Sequence, residues 1–417
     1  MAVRSVRSAS GMNDLIVGLD IGTSKVVAIV GRAQPTGELE VIGVGAHPSA
    51  GMKKGVIVNI DATVLSIQRA IEEAELMAGC QVNAVYAGIA DSHVRGINSN
   101  GVVAIRDREV QSGDLERVID AAQAVAIPAD QRVLHILPQE YLIDNQEGIR
   151  EPRGMSGVRL EAKVHLVTCA VNAAQNIEKC VGHCGLQAQE IISAQLASSY
   201  AVLTEDEKEL GVCMVDIGSG TTDIAVFSGG AIRHTAVIPI AGDQVTNDIA
   251  MALRTPTQHV EDIKLKHACA LMKQSGLEET IQVHSVGDRP PRVFTRYALA
   301  EVVEPRYEEL FSLVHAELKR SGFEALVAAG IVLTGGSSKI EGAIELAERV
   351  FHMPVRLAEP HPRVGLDKSL HDGAYATAVG LLLYGHKHRL SGLEVLKPTT
   401  QVKDLMLRVK DWVKGNF

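Results

Sequence analysis

One strand–turn–strand unit occurs twice in this chain, and the repeat narrows what the chain can fold into. Residues 15–30 read LIVGLDIGTSKVVAIV and residues 212–227 read VCMVDIGSGTTDIAVF. Each copy opens on an apolar, β-prone run that ends at an aspartate, Asp20 or Asp216, followed by Ile-Gly. The first copy turns through Gly22, Thr23, Ser24 and Lys25, the second through Gly218, Gly220, Thr221 and Thr222, before a second apolar run begins. A turn built of such small residues lets backbone N–H groups and hydroxyls approach an anion. An aspartate at its mouth is suited to hold a hydrated Mg²⁺ against phosphate oxygens. A single hairpin of this kind reads as an ordinary Gly-rich turn. Here each copy is followed by a third β-like run, at 39–44 and 231–240, and then by a helical stretch, which marks an internal duplication. Two such turns facing each other would clamp a polyphosphate.

Composition sets the outer bounds. A chain of 417 residues is expected to divide into two or three domains. With 46% apolar and 22% charged residues it has the balance of a globular protein with ample core. A net charge of −9 argues against a general nucleic-acid binder, which needs a basic excess. The cysteines at 80, 169, 180, 184, 213 and 269 are scattered and follow no secretory signal, so they read as reduced thiols. Cys180, His183 and Cys184 lack the second ligand pair of a metal site and fit a buried helix face. No run reaches the roughly 18 apolar residues of a membrane span. Residues 1–12, basic and Ser-rich with no apolar stretch behind them, are expected to be a disordered tail, with Met12 an alternative start.

Along the chain, residues 59–79 form a well-marked amphipathic helix capped at Asn59 or Asp61 and stopped by Gly79. Residues 84–162 read as a small α/β insertion, with β-like runs at 84–89, 102–105 and 132–136 and a helix at 112–126. The run 163–170, KVHLVTCA, is expected to return to the main sheet, and 173–184 to be helical. A helix of small residues is expected at 191–203, and another at 372–383, DGAYATAVGLLL. Residues 242–252 read as a Gly-Asp turn leading into a helix, whose N-terminus attracts phosphate. Residues 256–304 form a second insertion with a helix at 260–274. IVLTGGSS, at 331–338, is a β-branched strand ending in Gly335-Gly336, which suits either a plain turn or a purine lying flat on the backbone.

Asp20-Ile-Gly-Thr-Ser-Lys, Asp216-Ile-Gly-Ser-Gly-Thr-Thr-Asp, Leu333-Thr-Gly-Gly and the two small-residue helices, in this order, resemble the actin-like ATPases over nearly the whole chain. Within that superfamily the chain is similar to the FtsA family of bacterial cell-division proteins, through GLDIGTSKV, KKGVIVNI, LASSYAVL, TTDIAVF, RPPR, EPRYEEL and IVLTGGSSKIEG. The resemblance implies an α/β, actin-like (ribonuclease-H-like) fold of two lobes. The first lobe would comprise 13–83 and 163–200, closed by 372–385. The second would comprise 201–255 and 305–371, carrying 256–304, and 84–162 would be the extra subdomain. ATP and Mg²⁺ would lie between the lobes, with Asp20 and Asp216 on the hydrated metal. Gly22, Thr23, Ser24, Lys25, Gly218, Gly220, Thr221 and Thr222 would line the phosphates, with Gly242 and Thr246 in reach. Glu261 and Lys264 would approach the ribose and base, and Gly335 and Gly336 the adenosine. Gln195 aligns with a residue that positions water. A glutamine orients water without accepting its proton, so hydrolysis would be slow, and a structural glutamine fits the residues equally.

The resemblance also implies partners. The acidic tail of FtsZ would bind the second insertion and its edge, through Arg289, Arg292 and Arg296 of RPPRVFTR and through Arg306 and Tyr307. Arginine grips carboxylates with paired hydrogen bonds, although a solvated basic face has the same composition. Self-association and recruitment of later division proteins by 84–162 are implied as well. Residues 386–401, with Gly392 and Pro398, read as a flexible linker. They lead to an amphipathic helix at 402–417, VKDLMLRVKDWVKGNF, in which Leu405, Met406, Val409, Trp412, Val413 and Phe417 share a face flanked by lysines. A helix docked on its own core would show the same stripe. With its basic flank the segment suits the headgroup layer of anionic lipids, and it is too short to span the bilayer. The expected location is thus the cytoplasmic face of the inner membrane at the division site. A type IV pilus-assembly ATPase shares the expected fold, and so does a sugar kinase, which needs a catalytic aspartate in a substrate cleft. A heat-shock chaperone would need a further domain after Leu383.

Overall fold

The computed structural model describes residues 14–273, 276, 278–285, 289–361 and 368–391. The expected N-terminal tail, most of the linker and the expected amphipathic helix at 402–417 lie outside the described residues.

Two five-stranded sheets carry the molecule, and they have one topology. In the first, the strands run in the order Gln187–Ser193, Ala84–Ile89, Leu15–Ile21, Lys25–Ala33, Leu39–Pro48. In the second, the order is Val355–Leu357, Ile331–Thr334, Val212–Ile217, Thr222–Ser228, Ala231–Ile238. In each, three antiparallel strands form a meander, and two further strands add in parallel beside the first of them. The central strands Leu15–Ile21 and Val212–Ile217 are apolar up to the aspartate near their ends, as expected of strands covered on both faces. The fold is actin-like, α/β and two-lobed.

The expected helix at 59–79 is observed as Ile60–Ala78, with Asn59 accepting from Ala62 N at 3.1 Å and Gly79 ending it in the left-handed region. The two small-residue helices, Ala194–Val202 and Ala376–Ser391, follow the last strands of the two sheets and cross between the lobes. Their contact is so close that a Cβ on Gly380 would lie 3.0 Å from Ser198 N and closer still to the carbonyl of Ala197. Likewise a Cβ on Gly18 would meet Ala378 O at 2.7 Å, so the central strand of the first sheet accepts the helix only without a side chain there.

Several expectations are corrected. Ala84–Ile89 is not part of the insertion; it lies in the first-lobe sheet, paired in parallel with Leu15–Ile21. Arg159–Ala170 does not return to the main sheet, because its full length pairs with Arg95–Ala104 and Gln131–Ile143. The subdomain sheet therefore runs Arg95–Ala104, Arg159–Ala170, Gln131–Ile143, Gln146–Ile149, and helix Ser112–Gln123 packs on it through its own Val118 and Ile119. An apolar run is buried by either sheet, so apolarity alone did not distinguish them. Residues 187–193, in part expected as helix, form a strand. Residues 296–304, expected within the second insertion, belong to the 26-residue helix Arg296–Ser321, which continues through Pro305. The helix Ala376–Ser391 carries on into the expected linker.

The subdomain also touches the second lobe. Asn98 Nδ2 donates to Arg233 O at 3.0 Å, and Gln139 Nε2 to Ile232 O at 2.8 Å. Fully buried His165 stands 2.9 Å from Thr235 Oγ1 and 2.7 Å from Asn98 Oδ1, and burial pushes its pKa down to about 3. Among the described residues no helix is long and apolar enough to cross a membrane.

Candidate functional site

Between the lobes lies a cleft of about 800 Å³. Both Asp-Ile-Gly turns open onto it, and the same backbone bond closes each turn: Gly22 N to Lys25 O at 3.1 Å, and Gly218 N to Thr221 O at 3.0 Å. The turns also touch. A Cβ on Gly220 would lie 2.9 Å from the Cα of Lys54 and would collide with the Thr23 hydroxyl. Thr23 Oγ1 accepts in turn from Gly55 N at 3.1 Å. The small residues read as phosphate-binding thus also set how near the lobes come.

Three carboxylates line this end of the cleft. Asp216 is buried, and its Oδ2 accepts from Ser198 Oγ at 2.6 Å and Thr377 Oγ1 at 3.4 Å, one hydroxyl from each crossing helix. Burial raises its pKa, opposed by these two bonds. Asp20 is pushed up to about 7, first by burial and then by the charge of Asp216, with Lys25 opposing. Asp223, absent from the sequence reading of the site, is buried and lies across the strand pair from Asp216. Its Oδ2 accepts from Thr221 Oγ1 at 3.0 Å, its Oδ1 has no partner among the described residues, and burial raises its pKa well above the usual carboxylate range. The charge of Asp216 raises the pKa of both Asp20 and Asp223, and such a cluster of carboxylates fits a site for a hydrated divalent cation, which favours their charged forms.

At the other end, the described turn after Ile331–Thr334 brings Gly335 and Gly336 to the cleft, Gly335 at φ +89°. Ser337 Oγ bonds to Gly218 O at 2.8 Å, tying this turn to the second Asp-Ile-Gly turn. Glu261 and Thr246 line the cleft beside it. Lys264 is buried, with its ammonium 2.9 Å from both Thr246 Oγ1 and Glu261 Oε2 and 3.3 Å from Gly242 O. It braces the helix Thr257–His267 against the helix Gly242–Leu253. Lys339 and Asp372, paired at 2.7 Å, line the rim and went unread, since a lone lysine and aspartate give no pattern until the chain brings them together.

Three assigned residues do not face the cleft. Thr222 is fully buried and donates to Ile240 O at 2.8 Å, because alternation along the strand turns it inward. Gly242 is enclosed, with its N–H on Gly218 O at 3.2 Å. Gln195 is fully buried, and neither amide atom has a partner among the described residues, although its neighbour Ala194 lies on the cleft wall.

The arginine cluster is also revised. Tyr307 is 1% exposed and donates to Ser337 O at 2.6 Å, so it lines the cleft and presents nothing to a partner. Arg296 is paired with Glu341 at 2.5 Å, and Arg306 with Asp248 and Glu309, each at 2.5 Å. Arg292 donates to the carbonyls of Leu253 and Arg254, and Arg289 is exposed.

Comparison with known proteins completes the picture. Residues 213–380 match the family model described as cell division protein FtsA, and 91–168 match that of the SHS2 domain inserted in FtsA. The second range agrees with the observed subdomain, which starts after Ile89. Cell division protein FtsA of Pseudomonas aeruginosa is 66% identical over 409 residues, covering 97% of this chain and 98% of that one. Among solved structures, the PilM-PilN type IV pilus biogenesis complex gives a TM-score of 0.65 at 17% identity, covering 89% of this chain and 98% of that one. MreB5 of Spiroplasma citri bound to ADP gives 0.57 at 14% identity, covering 91% and 99%. These two share the fold alone. With identity at this level along nearly its whole length, the chain belongs to the FtsA family of cell division proteins.

Proposed function

We propose that the chain is an ATP-binding scaffold of cell division that tethers FtsZ filaments to the cytoplasmic face of the inner membrane. The observation that carries the nucleotide part is the pairing of two identically closed turns across one cleft, each with an aspartate at its mouth. Asp20 and Asp216, joined by Asp223, would hold the hydrated Mg²⁺, which neutralises phosphate charge when bound. Gly22, Thr23, Ser24, Gly218, Gly220 and Thr221 would present N–H groups and hydroxyls to the phosphates. Gly335 and Gly336 would take the adenosine, with Glu261 beside it. An actin-like neighbour that binds ADP supports this reading. Hydrolysis on this reading is slow, because Gln195, the residue that the resemblance assigns to water, is fully buried and does not line the cleft.

Family membership supports the division role. FtsZ's acidic tail would meet the second lobe near Arg289 and Arg292. The SHS2 subdomain would recruit later division proteins, self-association would build the scaffold, and residues 402–417 would lie on anionic lipid.

The test is co-sedimentation of FtsZ with anionic liposomes in the presence of Mg-ATP. The full chain should carry FtsZ down with a blue shift of Trp412, the single tryptophan. A chain lacking residues 404–417 should bind ATP and leave FtsZ in solution. Equal recruitment by the truncated chain would overturn the tether.

A further inference from the structure

Lys25 starts the strand Lys25–Ala33 directly after the first Asp-Ile-Gly turn and lines the cleft. Its ammonium lies 3.4 Å from the centroid of the Tyr375 ring. Two carboxylates are close enough to act on its charge, Asp20 and Asp372, yet neither forms an ion pair with it among the described residues. Burial, in turn, lowers its pKa.

The ring is held by its own segment. Asp372 accepts from Ala374 N at 2.9 Å and caps the short turn Gly373–Tyr375, and Tyr375 N bonds back to Asp372 O at 2.9 Å. The same carboxylate is claimed by Lys339 at 2.7 Å. Tyr375 itself packs against the apolar layer between the lobes. Its face is therefore presented to Lys25 by a structured turn at the mouth of the second crossing helix.

We propose that Tyr375 is a positioning residue for Lys25: its ring is the resting place of the ammonium, and it keeps Lys25 from pairing with Asp20 until a polyphosphate enters. The inference rests on the nucleotide reading of the cleft. A cation over an aromatic face gains less than one bonded to phosphate, so the ring yields its charge to the ligand. A Lys25–Asp20 ion pair would be harder to leave, and it would occupy the carboxylate that the metal needs. The ring thus holds the charge nearby in a form that is readily released.

Two measurements test this. With ¹³C-labelled lysine, the Lys25 side-chain signal, assigned by its loss in Lys25→Met, should be ring-current shifted upfield in the nucleotide-free protein. It should remain so in Tyr375→Phe, be lost in Tyr375→Leu, and move downfield when Mg-ATP is added to the parent. In equilibrium binding, Tyr375→Leu should weaken Mg-ATP by roughly 5- to 30-fold, Tyr375→Phe should restore it, and adenosine affinity should not change. In a Lys25→Met background the leucine substitution should have no further effect. An unshifted Lys25 signal overturns the proposal whatever the ligand does. An equal loss in the Lys25→Met background, or for adenosine, also overturns it by showing a merely structural ring. A shifted signal in a protein that binds no nucleotide instead refutes the nucleotide reading and leaves the ring contact standing.

Discussion

Ser198 Oγ stands 2.6 Å from Asp216 Oδ2, and through that bond the first crossing helix holds the aspartate of the second lobe. The same hydroxyl lies 3.0 Å from Thr377 Oγ1 on the other crossing helix, so one carboxylate joins three elements that are far apart in sequence. Ser198→Ala removes the shorter of the two bonds to a buried charge. It should cost about 1.5–3 kcal/mol of stability, read by urea denaturation of the nucleotide-free protein. Added Mg²⁺ should recover part of that loss, because the cation stabilises the same charge.

Gly380 and Gly182 make a matched pair. Both lie in helices, but a Cβ on Gly380 meets the backbone of the other crossing helix, and one on Gly182 meets nothing within 4 Å. Gly380→Ala should force the crossing helices apart and cost upwards of about 1–3 kcal/mol. Gly182→Ala should stabilise the chain by about 0.5–1 kcal/mol through helix propensity alone. Parallel urea titrations of the two variants check the contrast, and equal effects would mean that the crossing is not close-packed.

Asp20 predicts a pH effect of definite sign. Its pKa rises from 3.8 to about 7 on folding, so between these values the folded protein keeps a proton that the unfolded chain has released. Its contribution therefore lowers stability as pH rises through that window. His135 and His165, both pushed down to about 3 by burial, act in the opposite sense, with stability lost as pH falls below 6.5. The test is accordingly the difference between Asp20→Asn and the parent. The variant's gain in Tm should grow from about pH 5 to about pH 8 and shrink when Mg²⁺ is present.

Thr235 fixes the SHS2 subdomain to the second lobe through His165. Thr235→Val keeps the shape of the side chain and leaves a buried ring nitrogen unpaired, at a cost of about 1–3 kcal/mol. Hydrogen exchange should quicken in Arg95–Ala104 and Ala231–Ile238, the two strands that meet at this seam, while Val212–Ile217 stays protected.

The sequence by itself determined the repeat and most of what the repeat does locally. Asp-Ile-Gly followed by small residues specifies a tight turn wherever it lands, and both copies close with the same hydrogen bond. Asn59 and Gly79 likewise ended their helix as read, since capping is settled within one turn of chain. Small residues at 194–201 and 374–380 announced a close helix crossing before any partner was known. What only the tertiary structure decided is which sheet each apolar run joins, and which way each polar side chain turns. Val-Thr-Cys at 167–169 is as apolar as a first-lobe strand, and only its pairing with Arg95–Ala104 and Gln131–Ile143 places it in the subdomain. Thr221 and Thr222 are the same residue type side by side, but one lines the cleft and the other bonds inward to Ile240 O. In sequence Tyr307 is simply the neighbour of Arg306, and the helix that carries it turns it onto Ser337. The turns and caps are fixed by interactions between residues a few positions apart, which the sequence displays directly. Sheet membership and side-chain facing are fixed by pairing between residues up to hundreds of positions apart, and apolarity and charge alone do not specify which partners meet.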